Sequence, residues 1–283
     1  MLIRHKLEVI VSEMLCWGQI TLVLITLTAL QGNTRIILTT NAAAQILRAL
    51  RWPNATVPVE VSEGVLTSSH LQDLHAAMHH LNSLTCLRFV NATRHQYRVV
   101  VESSTGCGSL VGHVGVGEYQ KLLLGTSCFL QRGIVLHELL HVAGLFHEHT
   151  RPDRDQYVRV VWSNIHKDKH KNFVVPSWMR RNPDLVTLGL SYDYGSLLHY
   201  GLKVFTIDQE RPSMVLRRPY EYTELVGQRD APSRGDVARV NRLYECWNHY
   251  LGDDLPGAKA YLSWYAATLS HDLSHFQTSD IQI

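Results

Sequence analysis

The run His137-Glu138-Leu139-Leu140-His141-Val142-Ala143-Gly144-Leu145-Phe146-His147 gathers side chains that bind a divalent ion and move a proton. His137 and His141 are four residues apart. On a helix that spacing puts both imidazoles on one face, a turn apart, able to grip one ion. Glu138 lies beside the first of them, so its carboxylate projects toward the same cavity and can take a proton from water. Gly144 is a natural helix terminator, and a turn there brings His147 round as a third ligand. Three imidazoles leave one position open, whereas a structural zinc site closes all four with protein ligands.

The helix that must carry these residues is expected over Gly133 to Leu145. Leu136, Leu139, Leu140 and Val142 bury it, which argues against a surface helix that happens to carry histidines. Upstream, Val57 to Val61 alternates like a strand. Ser69 to Ser83 reads as a helix opened by a Ser69–Gln72 capping box, with Leu71, Leu74, Met78 and Leu81 on one face. Tyr97 to Glu102 reads as a strand. Gly106 to Gly117 reads as a glycine-rich loop and edge strand that Gln120 to Leu124 extends. It lacks the Gly-Lys-Ser/Thr ending of a phosphate loop. Downstream, Ser163 to Phe173 and Arg234 to Tyr244 read as helices separated by an irregular, proline-punctuated stretch. The segment from Trp247 to Ile283 is too short for a second domain.

The 283 residues are 45% hydrophobic and 18% charged, with 27 basic and 25 acidic side chains and a net charge of +2. That is a globular balance with no single-sign block, so nucleic acid and acidic lipid are not expected partners. His75, His79 and His80 fall in a polar helical stretch and read as solvated. Five cysteines occur, Cys16, Cys86, Cys107, Cys128 and Cys246, with no C-x-x-C pair. Cys16 sits in an N-terminal apolar region. The other four suit two disulfides in an oxidising compartment, and spacing does not choose among their three pairings. Arg4 and Lys6 precede the apolar run Ile20 to Leu30, which suits a signal-peptide core and is short for a bilayer span. Asn54-Ala55-Thr56 and Asn91-Ala92-Thr93 fit the glycosylation acceptor pattern.

The residues after His147 extend the resemblance to a known family. The spacing His137, Glu138, His141, Gly144, His147 matches the metzincin pattern. Glu148, His149 and Arg151-Pro152-Asp153-Arg154-Asp155 then make the chain similar to the astacins. The similarity runs on through Tyr192 to Tyr200, Gly227-Gln228-Arg229 and Ser233 to Cys246. On the N-terminal side it includes Cys86 to Phe89, the Gly106-Cys107 region and Gly117 to Gln120.

The resemblance implies an α+β, two-lobed, zincin-like catalytic domain. Its N-terminal lobe holds a twisted, mixed sheet and two long helices, and its C-terminal lobe is irregular. It implies a secreted zinc endopeptidase with one Zn2+ per chain, held by His137, His141 and His147, with Glu138 as general base. Tyr200, by itself a plain core aromatic, matches a switchable tyrosine that hydrogen-bonds the reaction oxyanion. Glu148 matches a structural glutamate paired with the mature N-terminal amine, near Ala42. Leu198 stands where the family has a methionine beneath the metal site, and Cys86–Cys246 and Cys107–Cys128 match the family disulfides. His149 is a further imidazole that the family pattern does not make a ligand.

The expected organisation is a signal peptide over 1–30, a short propeptide-like segment over 31–41, the peptidase domain over 42–247 and a short tail over 248–283. Residues 1–40 contain no Asp, so an aspartate latch on the metal is not expected and latency should be weak. Expected partners are protein or peptide substrates. No stable membrane insertion after signal removal is expected, and the chain should be a monomer.

Overall fold

A computed structural model of the chain describes residues 47–92, 97–217 and 223–268. The expected leader, the segment over 31–41, Cys16 and the domain start at Ala42 lie outside the described residues.

The N-terminal part is a five-stranded sheet with order β2-β1-β3-β5-β4. Its strands are β1 (Thr56–Val61), β2 (Arg88–Asn91), β3 (Arg98–Glu102), β4 (Cys107–Ser109) and β5 (Tyr119–Leu124). β1 pairs in parallel with β2 and β3, and β3 in parallel with β5, with Val59 opposite Val99. β4 closes the edge antiparallel to β5, with Cys107 opposite Leu124. Gln120 to Leu124 is therefore not a continuation of the glycine-rich edge strand but a separate strand, because the intervening glycines let the chain reverse. Gly112, Gly115 and Gly117 all take positive φ there.

Two helices pack on this sheet. α1 (Ser68–Leu84) buries Leu74, Ala77, Met78 and Leu81, while Leu71 is only half-buried. The Ser69–Gln72 box is not formed. Thr67 is the N-cap and accepts from the amide of His70 at 3.2 Å, so Ser69 already lies inside the first turn. α2 (Arg132–Val142) carries the histidine run and buries nearly its whole length. It starts against another segment so closely that a Cβ on Gly133 would fall 2.0 Å from the carbonyl oxygen of Arg229. It ends where Gly144 adopts φ 107°, which turns the chain back.

The C-terminal part is largely irregular. A two-stranded ribbon, β6 (Val158–Val160) with β7 (Met214–Leu216), covers a second apolar cluster around Phe173, Tyr192 and Tyr194. The expected helix over Ser163–Phe173 is instead two 3-10 segments, Trp162–Asn164 and Lys167–Phe173. Backbone groups there bond elsewhere. His166 N donates to Phe205 O and Asn164 O accepts from Ile207 N, and the Asn164 side chain adds a bond from Nδ2 to Pro212 O. Short helices α3 (Ser177–Arg181) and α4 (Pro183–Thr187) follow. α5 (Arg234–Leu243) opens on a capping box of Ser233 and Asp236.

The segment after Cys246 is more than a loose tail. Arg242 donates to the carbonyls of Leu251 and Lys259 and to Asp253, and so stitches it down. It then forms α6 (Tyr261–Thr268), whose Tyr261 and Trp264 are buried in the main core. Cys86 is bonded to Cys246 and Cys107 to Cys128. The first bridge joins the end of α1 to the end of α5, and the second ties β4 to the turn before α2. Among the described residues, no helix is long and apolar enough to cross a membrane.

Candidate functional site

α2 presents His137 and His141 on one face, and the turn at Gly144 brings His147 opposite them. The Nε2 atoms of His141 and His137 are 3.1 Å apart, and those of His141 and His147 are 3.2 Å apart. His137 Nδ1 lies 2.7 Å from the carbonyl of Leu197, and His141 Nδ1 2.7 Å from the carbonyl of Leu145. A carbonyl only accepts, so each Nδ1 carries the proton and each neutral ring has a bare lone pair on Nε2. Two lone pairs at that separation repel unless a cation lies between them. Burial, with the neighbouring imidazole His141, lowers His137 to about 3, and burial lowers His141 to about 4 and His147 well below its usual value. Neutral imidazoles aimed at one point, two of them fixed from behind by a backbone carbonyl, are the donor set a divalent zinc ion takes.

Glu138 is buried beside this cluster. Burial raises its carboxyl to about 7, while Ser109 and the Arg229 guanidinium pull it down. Ser109 on β4 also donates to the Glu138 carbonyl oxygen at 3.1 Å, which ties the sheet edge to α2. Tyr200 approaches from the C-terminal part. Its ring meets His147 edge-on at 4.5 Å, and burial pushes its phenol up to about 12, so it keeps its proton at neutral pH.

The remaining expected residues fall outside this cluster. Glu148 is buried behind it, where one carboxylate oxygen accepts from Arg239 Nη2 at 2.8 Å and from the Asp193 amide at 2.7 Å, with Arg151 at 3.4 Å. Burial raises its carboxyl to about 7, and the two arginines oppose that shift. The amine expected to pair with it, near Ala42, lies outside the described residues. Leu198 is buried in the main core, and its carbonyl accepts from the Glu148 amide at 3.1 Å. Asn54 and Asn91 are exposed on the surface.

Four contributors carry no role that the sequence alone shows. Asp236 accepts from the Leu197 amide at 2.8 Å and Ser196 Oγ at 2.6 Å, so it holds the segment whose carbonyl orients His137. Its position three residues after Ser233 was the available signal. Arg229 donates to the carbonyl of His199 at 3.3 Å and lies within electrostatic reach of Glu138 and Tyr200. The carbonyls of Leu197 and Leu145 are main-chain atoms and leave no trace in side-chain identity.

Comparison with known proteins places this geometry. Residues 45–245 match the profile of the Astacin peptidase family. The Low choriolytic enzyme of Oryzias latipes is 35% identical over 201 residues, covering 69% of each chain. Zinc metalloproteinase dpy-31 of Haemonchus contortus is 36% identical over 199 residues, with 69% of this chain matching 35% of that one. Tolloid-like protein 2 of Mus musculus is 35% identical, with only 19% of its length matched. The chain thus spans about two thirds of the first of these relatives and much less of the other two. Among solved structures, High choriolytic enzyme 1, a hatching enzyme zinc-protease from Oryzias latipes, superposes with TM-score 0.61 at 34% identity, covering 69% of this chain and 93% of that one. With the three-imidazole cluster and the mixed sheet, these matches establish that the chain belongs to the astacin peptidase family and is a zinc metalloendopeptidase.

Proposed function

We propose that the chain is an exported endopeptidase that opens internal peptide bonds of protein substrates, with Glu138 as the proton-transfer residue and Tyr200 as hydrogen-bond donor to the oxyanion. The observation that carries this reading is the convergence of a buried carboxylate and a protonated phenol on one cluster of three neutral imidazoles. Zinc, when bound, supplies Lewis acidity that polarises water and the scissile carbonyl. The Glu138 carboxylate accepts a proton from the attacking water and later delivers it to the leaving amine nitrogen. An acid near 7 suits both halves of that transfer at neutral pH. The Tyr200 O–H donates to the carbonyl oxygen as negative charge develops on it.

The substrate class follows from the sheet edge. β4 is the terminal strand of the sheet, so an extended peptide can add alongside it through main-chain hydrogen bonds. Ser109 and Val111 then lead it to a 230 Å³ pocket that also includes His141, His147 and Thr150. Two disulfides support passage through an oxidising compartment, and export would make the exposed Asn54 and Asn91 accessible to glycosylation. The working unit runs from about residue 42 through α6 and acts as a monomer. The test is cleavage of an unfolded protein substrate with and without a chelator. Loss of internal cleavage on chelation and its return with zinc support the reading, and chelator-insensitive cleavage contradicts it.

A further inference from the structure

His149 is a fully buried imidazole adjacent to the metal cluster that the mechanism leaves unused. Its Nε2 lies 2.9 Å from the carbonyl of Asn172. That carbonyl can only accept, so Nε2 carries the proton and Nδ1 is a bare acceptor. Nδ1 has no protein partner, although buried polar atoms are normally matched. Hydrogen bonding on that edge therefore does not explain the residue. The face of the ring does. It stacks on the Tyr200 ring at 4.0 Å between centroids and 28° between planes. The same phenol ring meets Phe173 and Phe205 edge-on, each at 5.8 Å. The seat itself is anchored, because buried Arg154 donates from Nη1 to the carbonyls of His149 at 2.9 Å and Phe173 at 2.8 Å.

We propose that His149 is a positioning residue for Tyr200: its ring, pinned at one corner by Asn172, is the flat wall that holds the phenol over the three-histidine centre. This rests on the reading of Tyr200 as oxyanion donor. The effect passes through the Tyr200 O–H, so it cannot exceed that of deleting the hydroxyl, about 100- to 1,000-fold in turnover. A phenol allowed to drift by about 1 Å loses up to roughly 100-fold. The stack, not the Nε2 bond, is what the position must preserve.

The test uses His149→Gln, whose amide can still reach the Asn172 carbonyl but offers no ring, and His149→Phe, which keeps the ring and loses the bond. We expect His149→Gln to lower kcat by about 10- to 100-fold with KM and zinc content unchanged, and His149→Phe to lose less. In a Tyr200→Phe background, His149→Gln should cost almost nothing further. In the metal-free protein with 13C-labelled tyrosine rings, the Tyr200 resonance, identified by its absence in Tyr200→Phe, should move in His149→Gln and stay near its parent position in His149→Phe. Equal losses in both backgrounds, or an unmoved Tyr200 resonance in His149→Gln, overturn the proposal while leaving the role of Tyr200 intact. Full turnover in Tyr200→Phe removes that role and the proposal with it. A His149→Gln chain that shows no melting transition passes the decision to His149→Phe, where a displaced Tyr200 resonance overturns the proposal and a retained one supports it.

Discussion

Replacing Trp264 by Ala should destabilise the whole peptidase domain, although the residue lies beyond the span that matches the family profile. Trp264 is 2% exposed and stacks on the buried Tyr261 ring at 5.7 Å and 19°. Its indole N–H donates to the carbonyl of Asp184 at 3.0 Å, and its ring fills the space where a Cβ on Gly189 would come within 2.8 Å. Truncating a buried Trp to Ala costs about 3–5 kcal/mol through lost transfer energy and the cavity left behind. The freed Asp184 carbonyl adds roughly 1 kcal/mol if water does not reach it. In a domain of this size each kcal/mol moves the melting temperature by about 2–4 °C, so the combined loss of about 4–6 kcal/mol should lower it by roughly 8–24 °C. Calorimetry on the disulfide-intact chain measures it. Leu262→Ala is the control, since Leu262 is 70% exposed on the same helix and should stay within about 0.5 kcal/mol. A Trp264→Ala melting temperature equal to the parent's, or an equal loss from Leu262→Ala, would refute the claim that α6 is part of the core.

Two further outcomes follow from the site. Asp236→Asn replaces an acceptor that three donors share, the Leu197 and Ser233 amides and Ser196 Oγ. It should weaken zinc binding by roughly tenfold, the low end for outer-shell partners of a ligand, as read by chelator competition. Leu198→Met keeps side-chain volume in a buried position, so stability should change by less than about 1.5 kcal/mol in either direction, as read by thermal melting.

The metal cluster was legible because its spacing is local. Four residues make a helical turn, and one glycine ends it, so His137, His141 and His147 needed no tertiary information. α1, β1 and β3 followed from periodicity in the same way. Ser163 to Phe173 is not a regular helix because its backbone is partly captured by residues 205–207 rather than by its own next turn, and helix propensity cannot register a distant partner. β5 is not separable from the edge strand in the sequence, because the reversal lies in positive-φ glycines that read equally well as loop or strand. The shortness of the C-terminal segment hides its part in the core, although Tyr261 and Trp264, three residues apart, form an apolar stripe. Arg229 was visible only as part of a motif, since its nearness to Glu138 and Tyr200 is created by the fold.

The most direct test of the account is Glu138→Gln, measured alongside its zinc content. The amide keeps the shape of the side chain and cannot take a proton from water. The three imidazoles and their Leu197 and Leu145 anchors are untouched. The account predicts one zinc per chain, a parent-like melting temperature and turnover reduced by about 100- to 10,000-fold. A zinc-replete Glu138→Gln chain that cleaves its substrate at close to the parent rate would contradict it.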